Sequence, residues 1–425
     1  MNLVGIRRRL AAFLAVGIIA AGLAVAGSAV AKPSVLSGAP LAQQLAKAAA
    51  ACKGPQPALA SKLKNAQLRE WLKGRSPIPI ILSPWGKAGA PKPPKPPWKI
   101  AFTNSFAGNA ARQNVILALN KEIAYYKKLG LVSSYESFLS NFDVPTHISQ
   151  IRQAVHDGAN AIMDIGPSPT ATAAAIKDAW KAGVVYVTMD APVTSPYAVN
   201  VTTNNYLQAV DWTSWMIQKL GGKGNVVMVE GVPGEPGSQI WEAAGECMFK
   251  KFSDIKVVAN VAGYWTESKA KTAMLKVLAT NPGSIDAVWI QGPGSVGVIQ
   301  AFEQTGRSLP KFMTSFGDQA TLAYWHQHPK LQIYVAPQPP QTSTVEAFRV
   351  IIRMLEGQRP ILNTLYNVGP PITNANLNKY WKPSYKWPSS TGFGELKQQT
   401  WLPTAVMNGW FSNGTKEPRY VDTGS

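Results

Sequence analysis

The chain has 425 residues, 46% hydrophobic and 15% charged, with a formal net charge of +19. At roughly 150 residues per domain this length is ample for two compact lobes, and two cysteines are too few for a disulfide scaffold. The charge suggests a nucleic-acid partner until it is located: the first 31 residues carry +3, residues 32–99 carry +11, and residues 100–425 only +5. The excess sits outside the folded body, so no nucleic-acid partner is expected. No C-x-x-C or Cys/His spacing points to zinc, and no metal or cofactor is expected.

Arg7-Arg8-Arg9, the apolar run of residues 10–26 and the small residues Ala29-Val30-Ala31 form the three parts of a signal peptide. Cleavage after Ala31 places the mature chain outside the cytoplasmic membrane, starting at Lys32. The apolar run is shorter than the roughly 20 residues of a spanning helix; an uncleaved anchor is the alternative.

Residues 32–97 read as a basic, Pro-rich extension. A helix-permissive stretch over 40–74 is broken at Gly54-Pro55-Gln56-Pro57, and residues 91–97 form a stiff polyproline-like spacer ending at a domain boundary before Trp98. Such a segment is either a solvated arm or a surface for anionic headgroups and envelope polymers. Cys52 and Cys247 are candidates for one long-range disulfide in an exported protein, which sequence alone leaves open.

Beyond residue 98 short apolar or β-branched runs alternate with amphipathic stretches. Strands are predicted at 99–103, 161–165, 184–189, 225–229, 256–261, 287–290, 312–315 and 332–335. Helices are predicted at 110–129, 147–156, 170–182, 206–220, 238–252, 268–280, 296–305 and 342–355. This βαβα rhythm predicts an α/β fold of doubly wound parallel sheets, whose ligands bind at the carboxyl ends of the strands.

The run Lys99-Ile100-Ala101-Phe102-Thr103-Asn104-Ser105-Phe106-Ala107-Gly108-Asn109-Ala110-Ala111-Arg112 resembles the opening of the type I periplasmic binding proteins of ABC importers, notably the ribose, xylose and galactofuranose group. Val187-Thr188-Met189-Asp190, Thr203-Asn204-Asn205, Gly231-Val232-Pro233-Gly234 and the run of residues 281–288 follow in the family's order. The resemblance implies two Rossmann-like lobes joined by a three-strand hinge and closing on a ligand. Lobe one would be 98–203 plus 338–366, lobe two 204–337 plus 367–380, with 381–425 a C-terminal extension packed on a lobe.

The same resemblance implies ligand contacts at Phe106, Asn109, Arg112, Asp190, Asn205, Trp265, Gln291, Phe316, Asp318 and Gln338. Four positions depart from the sugar-binding pattern: Glu242 or Ala244 where an Arg is usual, Gly292-Pro293 for Asn-Asp, Phe316-Gly317 for Phe-Asp, and Gly166 for Asn. Each loss removes a partner for a hydroxyl, so a modified sugar, a cyclitol or an aromatic-faced compound competes with a plain sugar. Trp265 is read either as a stacking platform or as core, Asp190 as a ligand contact or a helix cap, and the two Gly-rich loops as ligand approaches or ordinary turns. His147 and His156 read as lone surface histidines in a helical pattern.

No G-x-S-x-G elbow, H-E-x-x-H or framed carboxylate pair is present, so the chain is not expected to be an enzyme. A repressor of the same fold needs an N-terminal helix-turn-helix, and the leader and spacer stand in its place. The expectation is a monomeric, extracytoplasmic binding protein that delivers a small polar ligand to an ABC permease, with a ligand-sensing receptor subunit for a sensor kinase or chemoreceptor as the alternative. Intact-mass analysis of protein recovered from the cell envelope is expected to lack the first 31 residues; a chain still starting at Met1 in the cytosol would refute the export reading.

Overall fold

The computed structural model describes residues 38–414 and 416–421; the leader read at residues 1–31 lies outside them. Two helices, α1 (Ala39–Lys53) and α2 (Ala66–Trp71), come before the first strand. There follow β1 (Trp98–Asn104), α3 (Ala110–Lys128), β2 (Val132–Leu139), α4 (Val144–His156), β3 (Ala161–Ile165), α5 (Ala173–Lys181), β4 (Val185–Met189) and β5 (Val199–Thr203). A second lobe takes α6 (Asn205–Lys219), β6 (Gly224–Glu230), α7 (Pro236–Phe249), β7 (Ile255–Ala262), α8 (Glu267–Thr280), β8 (Ala287–Ile290), α9 (Ser295–Thr305), β9 (Phe312–Ser315), α10 (Gln319–Gln327) and β10 (Gln332–Val335). The chain then returns to lobe one through α11 (Pro340–Leu355) and β11 (Thr364–Asn367), with short helices α12 (Gln398–Trp401) and α13 (Thr404–Asn408) near its end.

Lobe one holds a six-stranded sheet in the order β11-β5-β4-β3-β1-β2, and lobe two a five-stranded sheet in the order β10-β9-β8-β6-β7. All strand pairs within these sheets are parallel. Every residue of β3 and β4 is buried, as expected of strands covered by helices on both faces. The edge strands β2 and β7 keep several exposed positions. Side-chain caps fix where the cleft-facing helices start: Asn109, Asp143, Asn204, Glu235, Thr266 and Asp318 each accept a hydrogen bond from the backbone N–H three residues on.

Residues 38–97 are not a solvated arm. Leu41, Leu45, Ala48 and Cys52 follow helical spacing, and this stripe of α1 is buried with Trp212 and Met248 of α6 and α7 in lobe two. Farther along, Leu63, Leu68, Trp71, Leu72 and Trp85 join the core of lobe one. Between these anchors the segment crosses the hinge, where the Asn204 side-chain amide donates to the carbonyls of Trp71 and Lys73 at 2.8 and 2.9 Å. The basic residues of the segment therefore decorate a packed strap.

The C-terminal segment packs on both lobes, not on one. Tyr385 and Phe393 are buried against lobe two, whereas Leu396, Trp401, Met407 and Trp410 belong to the core of lobe one. Its Glu417 holds two arginines of α11, with Arg349 at 2.6 Å and Arg353 at 3.1 Å, both fully buried. A buried guanidinium without a partner is strongly destabilising, so the segment is integral to lobe one. Five stretches thus pass between the lobes: the three connections after β5, after β10 and after β11, and the two terminal straps.

Cys52 of α1 and Cys247 of α7 form a disulfide with Cα atoms 5.9 Å apart and 195 residues between them in sequence. A loop of that length predicts a stabilisation of about 4–5 kcal/mol in the chain-entropy description. Non-reducing peptide mapping is expected to find the two cysteine peptides linked, and Cys52→Ser with Cys247→Ser to lower the urea midpoint markedly. Free thiols in protein from an oxidising compartment would contradict this arrangement.

Candidate functional site

The carboxyl ends of both sheets face one another across a cavity of about 570 Å³. Eight of the ten residues implied by the resemblance line it: Phe106, Asn109, Arg112, Asp190, Asn205, Trp265, Phe316 and Gln338. Gln291 and Asp318 do not. The Gln291 amide is buried and donates to the Ser238 carbonyl at 3.2 Å, while Asp318 accepts from the Thr321 N–H at 2.7 Å as the cap of α10. Both groups serve the loops behind the wall rather than the cavity.

Lobe one supplies Arg112 and Asp190, while Glu235 and Lys269 of lobe two also line the cavity. Asn109 caps α3 by accepting from the Arg112 N–H at 2.9 Å, which sets the first turn that carries the Arg112 side chain. The Arg112 guanidinium and the Asp190 carboxylate make no hydrogen bond or ion pair with any described residue, yet each feels the other's charge. Burial lowers the Arg112 pKa, with Asp190, Glu235 and Asp164 acting in the opposite direction. Burial pushes Asp190 up to about 6, against the pull of Arg112. The hinge adds amides already engaged with one another: Gln338 donates to Asn205 at 2.6 Å and to Gln208 at 3.2 Å.

Lobe two supplies rings. Trp241 meets Trp265 edge-to-face at 6.2 Å between centroids and Phe316 edge-to-face at 5.2 Å. From lobe one, Phe106 and Phe142 stack at 5.2 Å beside them. The two Gly-rich loops exist here to seat an indole: a Cβ on Gly231 would lie 2.1 Å from Trp265 Nε1, and one on Gly292 would lie 2.3 Å from Trp265 Cδ1. Their glycines let the backbone approach a side chain of the protein itself. Trp289 is core, fully buried, with Nε1 donating to Thr213 Oγ1 at 2.9 Å.

Among the described residues five non-glycine positions have positive φ: Asn141, Phe142, Asp190, Tyr264 and Trp265. Four of them line this cavity. Such conformations cost of order 1–3 kcal/mol each and persist where the surroundings impose them, typically at binding sites. Sequence reasoning missed Phe142 and Tyr264, because neither stands in a motif and a positive φ in a non-glycine residue leaves no composition signal.

His147 is buried, in contrast to its reading as a surface residue. Its Nε2 lies 2.7 Å from Asp164 Oδ1, and its Nδ1 lies 3.1 Å from Ser140 Oγ. Thr103 donates to the same Asp164 oxygen at 2.7 Å. This network stands directly behind Gly166 at the cavity wall, where a Cβ would meet Asp164 Oδ2 at 2.9 Å. It fastens the loop that presents Phe142. The available signal was the buried stripe His147, Ile151, Ala154 at helical spacing on α4.

The folded chain holds a proton on Asp190 more tightly than an unfolded chain, whose carboxyl has its ordinary value of 3.8. Stability contributed by the protonated group is present below that value and is lost as pH rises toward about 6. Asp190→Asn is expected to stabilise the empty protein by up to about 3 kcal/mol at neutral pH, one pKa unit being about 1.4 kcal/mol. The gain should vanish near the ordinary carboxyl value. Urea midpoints at both pH values measure it, and a pH-independent difference would show that Asp190 is not held above its ordinary range.

Residues 100–359 match the family model described as a periplasmic binding protein domain. The xylitol-binding protein of Mycolicibacterium smegmatis is 26% identical over 171 residues, covering 40% of this chain and 49% of that protein. The D-allose-binding periplasmic protein of Escherichia coli (strain K12) is 30% identical over 140 residues, covering 31% of this chain and 45% of that protein. The chain thus aligns with about half the length of these curated relatives. A solved ABC transporter solute binding protein from Thermobispora bispora shares the fold with a TM-score of 0.62 at 23% identity, over 77% of this chain and 100% of that one. Since the matched span includes the facing strand ends and nearly all the residues that wall the cavity, the chain belongs to the periplasmic binding protein domain family.

Proposed function

We propose that this protein captures a small neutral, hydroxylated solute between its lobes outside the cytoplasmic membrane and presents the closed form to an ABC permease. The observation that carries this reading is the pair Arg112 and Asp190, a donor and an acceptor left without partners in a cavity closed by both lobes. Both side chains are partly buried and keep their polar atoms open to the cavity, and a hydroxyl answers both, donating to the carboxylate and accepting from the guanidinium. A carboxylate ligand fits less well, because Asp190 and Glu235 oppose the single guanidinium. The xylitol- and D-allose-binding relatives support a polyol or sugar-like head group.

Delivery to a permease rests on family membership and on the hinge, whose closure gives a shape that exists only with ligand bound. The single disulfide and the leader-like N-terminus support an extracytoplasmic home. The cavity residues form a binding arrangement rather than a catalytic one: no nucleophile beside a base faces the space between Arg112 and Asp190.

Calorimetry with a panel of polyols, cyclitols and sugars tests this reading. Arg112→Ala and Asp190→Ala are each expected to weaken binding by roughly 2 kcal/mol or more, the scale of a buried hot spot. Trp265→Ala should weaken it comparably, since its ring lines the cavity and is only partly buried. Unchanged affinity in all three variants would remove the cavity as the solute site.

A further inference from the structure

We propose that the solute is amphipathic: a neutral hydroxylated ring that carries a flat apolar ring, as in an aryl glycoside, rather than a free sugar or polyol. This rests on reading the cleft as a solute site. The inference comes from how unevenly the two walls of the cavity are built.

A free polyol carries hydroxyls all round and needs polar partners from both lobes. The lobe-one wall offers Arg112 and Asp190, and the hinge adds the amides of Asn205 and Gln338, already engaged with each other. Across the cavity stand Trp241, Trp265, Phe316, Phe393, Val232 and Pro293, none of which has a side-chain acceptor. The polar side chains that lobe two does bring are poorly placed for a second set of hydroxyls. Ser268 and Lys269 are exposed at the rim, Glu235 Oε2 accepts from the Ser238 N–H at 2.9 Å, and Thr266 Oγ1 accepts from the Lys269 N–H at 3.4 Å. Hydroxyls pressed against the ring wall would lose water and find no side-chain acceptor in exchange, only the buried indole N–H groups of Trp241 and Trp265.

A flat ring, by contrast, is what that wall accepts. Trp241 and Phe316 sit edge-to-face, and Trp265 is held rigid between Gly231 and Gly292. Aromatic faces of this kind favour a further ring at stacking or edge distance. The volume agrees: about 570 Å³ lies well inside the range of roughly 300–1,000 Å³ that holds ligands of drug size. That leaves room for an aryl group beside a sugar ring.

The test uses matched pairs with the mature, oxidised protein: D-glucose against phenyl β-D-glucopyranoside, D-xylose against phenyl β-D-xylopyranoside, and xylitol, myo-inositol and benzoate alone. Calorimetry is expected to show the aryl glycoside binding at least roughly tenfold more tightly than its parent sugar, the gain of one well-placed aromatic contact with its buried area. Benzoate should bind more weakly than either glycoside. Tyr264→Ala, at an exposed cavity position, should reduce the aryl preference, and Trp241→Ala should lower affinity for the aryl glycoside by a larger factor than for its parent sugar. Equal or tighter binding of the free sugars or polyols would overturn the amphipathic assignment and leave the solute-binding reading standing. Tightest binding by benzoate would overturn the neutral head group. Failure of every compound to bind would remove both the assignment and the solute-binding reading beneath it.

Discussion

Parallel pairing in both sheets dictates where everything else can go. A parallel strand cannot be joined to its neighbour by a tight turn; the chain must leave at the carboxyl end, cross over through a helix and start again at the other end. Each sheet therefore collects its outgoing loops along one edge, and the helices that follow begin there. The two edges face each other, so Arg112, Asp190, Trp241, Trp265 and Phe316, remote in sequence, share one space. Helix caps at Asn109, Glu235, Thr266 and Asp318 are a by-product of the same geometry, since every crossover helix starts at this edge.

Rigidity at the cavity is built from close approach. Trp265 could not occupy its position if either Gly231 or Gly292 carried a side chain, and its own backbone is left-handed. Phe142 is likewise left-handed and is backed by Ser140, His147 and Asp164. Recognition surfaces arranged in advance lose little side-chain freedom on binding. Any change in the relative placement of the lobes would require five stretches rather than three to bend together.

The sequence reading was strongest where burial is complete. β3, β8, β9 and β10 coincide with predicted runs; β3 and β8 are buried at every residue, as expected of strands covered on both faces. β2, β5 and β11 escaped it: Ser133, Ser134 and Glu136 give β2 a polar edge-strand texture, while Asn200, Thr202 and Thr203 in β5 and Thr364 and Asn367 in β11 bury polar side chains through hydrogen bonds that only the fold supplies. The cavity wall was legible at motif positions such as Arg112 and Asp190, which line it. Gln291 and Asp318 lie behind that wall, where a neighbouring carbonyl or helix N-terminus claims the side chain. The basic extension misled for a related reason: charge density hid the apolar stripe of α1, whose burial depends on a lobe encoded far downstream.

That distance bears on how the molecule is made. A chain delivered from its N-terminus presents α1 first, but the surface that buries α1 includes α7, and the sulfur that fixes it is 195 residues farther on. The C-terminal strap returns to lobe one still later, bringing Glu417 to Arg349 and Arg353 after β1 to β5 have emerged. Contacts between such remote residues slow folding, because the entropy of closing long loops is lost before the contacts reward it. Neither terminal strap can be completed until nearly the whole polypeptide is available. Completion of this fold therefore waits on the last part of the chain, and a chain truncated before Glu417 has lost the carboxylate that pairs with two buried arginines of lobe one.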